Sequence, residues 1–160
     1  MKKKSQIGQV FIYLVSTLII ILVLYYGYNA IKSIGKKQQE LSYVKFQRAL
    51  TDMVAYTSSD YGTVRVEDFS IPGGFNKVCF VDRDMVKLRN TSAISEDNYP
   101  LIYDSVQEGT QANVFVLPGG SPFYIDKMKV AGGFSCSDIS QGKIRVRIEG
   151  RGDVSQITVQ

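Results

Sequence analysis

Side chains able to do chemistry are few in this sequence and badly spaced for catalysis. None of its 160 residues is histidine, which removes His-based triads, His-ligated metals and the commonest general base together. A base would have to be Asp, Glu, Lys or Tyr, and no carboxylate pair stands on a recognisable pocket. Asp82-Arg83-Asp84 offers oxygens of the kind calcium takes. It lacks the spaced Asp, Asn and Gly of a calcium loop, so a solvated turn is expected there. The glycine-rich segments match no phosphate-loop spacing. Neither Ser121 nor Ser135 has a basic partner to activate it. Arg151-Gly152-Asp153 spells an integrin-type tripeptide, yet Gly and Asp are the ordinary residues of a hairpin turn. Asn90-Thr91-Ser92 is a glycosylation sequon, with meaning only outside the cell. The expectation is a protein that is no enzyme and takes no cofactor or metal.

The two cysteines leave two readings. Cys79 lies in Val78-Cys79-Phe80-Val81 and Cys136 in Gly133-Phe134-Ser135-Cys136, both strand-like. A pair in separate β segments is what one bridge across a small β domain looks like, and bridges persist outside the cytosol. Two buried, reduced cysteines acting as small hydrophobes is the other reading.

Charge is divided along the chain. Residues 1–48 carry eight basic side chains against Glu40 alone, a balance of +7, and residues 49–160 carry −3, giving the net +4. A nucleic-acid binder would gather its excess on the folded domain. Here it flanks an uncharged run from Ser5 to Ile31, so the lysines read as membrane-surface charge and no nucleic-acid partner is expected.

Within that run, Gln9–Ile31 comprises 23 residues, about 34 Å as a helix, enough to cross a hydrocarbon core of about 30 Å. Only a helix satisfies its own backbone in lipid, which overrides the many β-branched residues. Tyr13 near one end and Tyr25, Tyr26 and Tyr28 near the other suit the interfaces. A cleaved signal and a buried core helix are the competing readings, but the run is long for either, and Tyr28 before Ala30 fits a cleavage site badly. The lysine count leans toward a cytoplasmic domain and the cysteines toward an extracellular one. We read the chain as a single-pass protein of the cell membrane, its partner the lipid and its C-terminal domain outside.

The helix has no proline to stop it before Thr57. Tyr43, Phe46, Leu50, Met53 and Val54 recur at spacings of 3, 4, 3 and 1, one stripe of an amphipathic helix facing a core. Ser58-Ser59-Asp60-Tyr61-Gly62 supplies turn residues to end it. From Gly62 the period becomes two. Val64 and Val66 alternate with Arg65 and Glu67, and Pro72-Gly73-Gly74 separates them from Val78–Val81, which predicts a hairpin with the valines inward. Further strands are expected over Asn113–Leu117, Phe123–Val130, Lys143–Glu149 and Val154–Val159. Asn98 is expected to cap a short helix over Tyr99–Glu108, with Leu101, Ile102 and Val106 inward and Gly109 after it. The fold class is therefore α+β: a long N-terminal transmembrane and amphipathic helix, then a small, mainly antiparallel β domain. Its parts are a basic tail (1–8), a transmembrane helix (9–31), a helix extension (32–61) and a β head (62–160).

Lys2, Lys3 and Lys4, a small polar joint and a long apolar helix resemble the start of type IV pilins. They are most similar to archaeal pilin-like proteins with a class III signal peptide. The resemblance implies that a membrane peptidase cuts between tail and apolar stretch, at Gly8-Gln9 or at Ser5-Gln6. Five residues into the mature chain, where that family usually carries Glu, this sequence has Tyr13 or Val10. The resemblance further implies a pilus or filament subunit, self-associating through the N-terminal helix with the head outward. Ser16, Thr17 and Gly27 would permit close approach of helices. A membrane-tethered adhesion or binding module that never polymerises is the alternative, its head open to an unknown surface protein or glycan partner.

Overall fold

Helix α1 runs Lys4–Ser58 without interruption. The computed structural model describes residues 4–84 and 94–159, and for 4–9 and 33–37 the backbone alone. The sequon at Asn90 lies outside the described residues. Two compact units divide the chain, Met1–Leu41 and Ser42–Gln160. In the first, α1 is the sole described element. No proline breaks it, and Gly27 in its interior meets no neighbouring atom, so that residue costs the helix only about 1 kcal/mol of propensity.

The second unit begins with the last turns of α1 and continues through β1 (Val64–Ser70), β2 (Lys77–Val81), α2 (Pro100–Gln107), β3 (Val114–Leu117), β4 (Met128–Val130), β5 (Phe134–Asp138), β6 (Lys143–Gly150) and β7 (Ser155–Val159). The fold is α+β. One sheet has the order β1-β6-β7-β4 and the other β3-β2-β5. Every ladder is antiparallel except β4 with β7.

The stripe on α1 is the centre of the core. Phe46, Leu50 and Val54 are buried with Phe69, Val78, Phe80, Val114, Val116, Ile144, Val146, Ile148 and Ile157, and Tyr43 and Met53 pack against them. One face of each sheet thus meets the same helical stripe. The alternation expected in β6 is present, with Ile144, Val146 and Ile148 inward and Lys143 and Arg145 outward. Strand β2 is buried on both faces. Val78 and Phe80 join the main core, while Cys79 and Val81 join a second cluster with Ile94, Ile102 and Phe115 beneath α2. A doubly covered strand reads as an unbroken apolar run, as this one does.

Four expectations are corrected. The first is the hairpin of β1 with β2, since the two strands lie in different sheets. Ile71 still donates to Gly142 O beside β6, whereas Asn76 donates to Leu117 O beside β3, so Pro72–Phe75 crosses between sheets. The second is the burial of Val64 and Val66, which are 45% and 50% exposed. Phe69 pairs with Ile144 on the core face, and the two-residue period then turns both valines to the other face, leaving Arg65 partly covered and Glu67 exposed. The Arg65 guanidinium finds cover 4.7 Å over the Tyr56 ring. A partly covered charge on an edge strand also discourages a foreign strand from pairing there.

The third is the strand from Phe123, which begins only at Met128. The Asn113 side-chain amide donates to Ile125 O at 2.7 Å and its oxygen accepts from Ile125 N at 2.8 Å, and Lys127 takes a φ of 57°. The fourth concerns α2, where Tyr99, not Asn98, is the N-cap and makes no side-chain capping bond. Pro100 opens the helix at a position that has no donor to lose. The buried face is Ile102 with Tyr99, Tyr103 and Val106, a 3-4-7 spacing from Tyr99 that leaves Leu101 exposed.

Candidate functional site

Three features of the chain bear on function: the apolar part of α1, the lock between α1 and the sheets, and a polar cleft in the β domain. The first spans Val10–Lys32, 23 residues of mean hydropathy 2.4, with none of it buried within the chain. It is long and apolar enough to cross a membrane. Two of its polar side chains bond to the helix's own backbone. The Thr17 hydroxyl donates to Tyr13 O at 2.8 Å, and the Asn29 amide donates to Tyr25 O at 3.0 Å. Such back-bonding satisfies the donor within the helix itself. Thr17 also borders a shallow apolar groove with Val10, Leu14, Ile21 and their neighbours. Ser16 and Gly27 are exposed. Of the two joints of the tail, the Ser5-Gln6 and Gly8-Gln9 peptides lie in helical backbone.

The lock is aromatic and exact in its spacing to backbone. Tyr43 packs on Phe75 at 5.5 Å between centroids, and Phe46 meets Phe123 and Phe69 edge-on at 6.1 and 6.3 Å. The Tyr43 hydroxyl donates to Ser121 O at 2.5 Å, and burial raises its pKa above the ordinary phenol value. Farther along, the buried Ser155 hydroxyl donates to Val54 O at 2.8 Å. Where α1 ends, β6 comes so close that a Cβ on Gly150 would overlap the carbonyl oxygens of Thr57 and Asp60.

Cys79 and Cys136 form a disulfide. They face each other directly across the β2–β5 ladder, and the bridge lies in the cluster under α2. Closing a loop across 57 positions stabilises by about 4 kcal/mol on the chain-entropy account.

The cleft, of about 490 Å³, lies where the chain leaves β2 and where it enters β4. Asp82, only 4% exposed, is no solvated turn residue, which corrects the expectation at that position, whereas Asp84 is exposed as expected. Burial of a carboxylate demands a partner, and Lys129 supplies it. Its ammonium stands 2.7 Å from Asp84 and 3.6 Å from Asp82, and the hydrogen bond to Asp84, foremost, raises the Lys129 pKa. Arg83 also lines the cleft, and its buried Nε has no hydrogen-bond partner among the described residues. Tyr124, also in the lining, is 53% exposed, its hydroxyl donating to Asp126 at 3.2 Å.

None of this cleft beyond Asp82–Asp84 stood out in the sequence. A signal existed in Tyr124-Ile125-Asp126, where a buried Ile separates two outward polar residues, but nothing local joins it to residues some forty positions earlier. Arg151-Gly152-Asp153 forms the exposed β6–β7 turn. There the Arg151 guanidinium is held by Glu149 at 3.1 Å and Gln156 at 2.8 Å, as a strand-capping residue would be. On the opposite end of β6, Arg145 binds Asp68 through two hydrogen bonds of 2.7 and 3.0 Å. That contact is the main cause holding the Asp68 carboxyl below its usual pKa.

No known protein family, curated protein or solved structure matches this chain.

Proposed function

We propose that this chain is a pilin-like structural subunit of an extracellular filament, held in the membrane and then assembled through the apolar part of α1, with the β domain outward. One observation carries the reading. A single uninterrupted helix is apolar and unburied over Val10–Lys32 and supplies the core of a β domain through Phe46, Leu50 and Val54. The disulfide supports an extracellular β domain, because bridges persist in oxidising compartments. The basic tail and its joints, Gly8-Gln9 or Ser5-Gln6, support processing of the pilin kind.

A second reading has its own observation. Thr17 and Asn29 bond to their own helix, so neither side chain calls for a partner helix to satisfy it. A single-pass tether carrying an adhesion or binding domain follows from that.

Mass spectrometry of protein from its native membrane, together with sedimentation of material sheared from cells, separates the two. Loss of five or eight N-terminal residues and recovery of the chain in sheared fibres support the filament. An intact N-terminus with the chain wholly in the membrane fraction overturns it in favour of the tether.

A further inference from the structure

We propose that the cleft between the end of β2 and the start of β4 binds a saccharide of one or two uncharged pyranose rings. This goes beyond the filament reading and does not depend on it, since every residue involved belongs to the β domain.

The volume, about 490 Å³, is within the range of small-molecule sites. Its lining then selects the chemistry. Three carboxylates (Asp82, Asp84, Asp126) and three cations (Arg83, Lys127, Lys129) border the space, so it carries no net charge. A simple anion would face the carboxylates. A bare cation would find its place between Asp82 and Asp84 already taken by the Lys129 ammonium. Among the described residues, no group of three or more His, Cys, Asp or Glu stands close enough to hold a metal ion. An apolar ligand would strand the polar wall.

Hydroxyl groups fit what remains, because each both donates and accepts. Gln111 lines the space with an amide that both donates and accepts. Asp126 accepts from the Tyr124 hydroxyl through Oδ1, which leaves it further acceptor capacity for a ligand donor. Tyr124 supplies the remaining requirement. Its ring is half exposed and is steadied at its tip by Asp126, presenting a flat apolar face beside polar groups. A pyranose offers the complement: one face of axial C–H groups and a rim of hydroxyls.

The test uses the full chain in lipid nanodiscs, free of sugar-headed detergents that would compete. The discs are applied to an array of neutral and acidic oligosaccharides, and hits are checked by saturation-transfer NMR. Calcium and inorganic phosphate are titrated in parallel. We expect at least one neutral glycan to bind, about tenfold weaker binding in Tyr124→Ala and a comparable loss in Asp126→Asn. Tyr61→Ala, at a 79% exposed tyrosine outside the cleft, should leave binding intact. The proposal is overturned if no array glycan binds, or if binding survives Tyr124→Ala and Asp126→Asn unchanged. It is equally overturned if calcium or phosphate occupies the cleft and no sugar does. The readout is the same for a lone tether and a filament subunit, so failure here leaves the filament reading standing, and the converse.

Discussion

Replacing Gly150 by Ala should be among the most damaging single-methyl changes available in this domain. The backbone at Gly150 is pinned twice, its N–H donating to Thr63 O at 2.8 Å and its C=O accepting from Gly62 N at 2.8 Å. A Cβ would overlap two further carbonyl oxygens, those of Thr57 and Asp60, which belong to the end of α1 and its turn and cannot rotate away as a side chain would. Relief requires β6 to move off the helix terminus. That movement loses both hydrogen bonds and partly buries what they leave unpaired, at about 2–5 kcal/mol in total. Domains of this size have about 5–15 kcal/mol to lose. The expected fall in Tm is roughly 8–20 °C, read by near-UV circular dichroism of the full chain in nanodiscs. Tyr43 and Tyr99 report there on packed aromatic surroundings. The matched control is Gly73→Ala, where a Cβ meets nothing within 4 Å and the effect should stay within about 1 kcal/mol. Equal melting of both variants and the unmodified chain would refute the close approach of β6 to α1.

Two further outcomes follow from the geometry. Reducing the Cys79–Cys136 bridge should cost about 4 kcal/mol, seen as a lower urea midpoint once thiol titration confirms two free cysteines; an unchanged midpoint would show that the bridge constrains nothing. The Asp68–Arg145 contact should weaken the domain in acid. Asp68 has its folded pKa lowered, chiefly by the Arg145 hydrogen bond, so its contribution is present above the unfolded value of about 4 and is lost as pH falls through the folded one. The midpoint difference between the unmodified chain and Arg145→Gln should therefore hold at neutral pH and shrink below about pH 4. A difference undiminished at pH 2 would place its cause elsewhere.

What could be read from the sequence was whatever a single element decides for itself. The stripe Tyr43, Phe46, Leu50, Met53 and Val54 was visible because charged and polar residues separate its members, and all five are in or against the core. The alternation in β6 was visible for the same reason. Strand β1 was misread because its local pattern is a poor guide to its face. Phe69 sets the parity through Ile144, and one residue at the far end outweighs two valines. Pro72-Gly73-Gly74 announced a change of direction correctly, but a turn signal does not say which sheet the chain enters next. The cysteine pair was half legible, in that both strands were recognised and their direct opposition across the β2–β5 ladder was not. The cleft was least legible of all, since four separate stretches of the chain line it, around Asp82, Asn113, Asp126 and Val154.

The helix settles what any study of the β domain must retain. Phe46, Leu50 and Val54 are each no more than 2% exposed, and losing a side chain of that kind costs about 2–5 kcal/mol. Removing all three with the segment that carries them would take roughly 6–15 kcal/mol, as much as the whole stability of a domain. The loss would also free the Ser155 hydroxyl from Val54 O and strip Gly150 of the surface it was shaped to meet. A fragment begun at the first strand, Val64, is therefore not the β domain without its anchor but a chain without its core. The smallest fragment with a claim to fold begins at or before Ser42, the first residue of the second compact unit. The residues that make the segment before it greasy and those that make the sheets cohere lie on one continuous helix. Along that helix the pattern changes from an uncharged, mostly apolar run before Lys32, long enough to cross a membrane, to a stripe after Ser42 that supplies the core of the β domain.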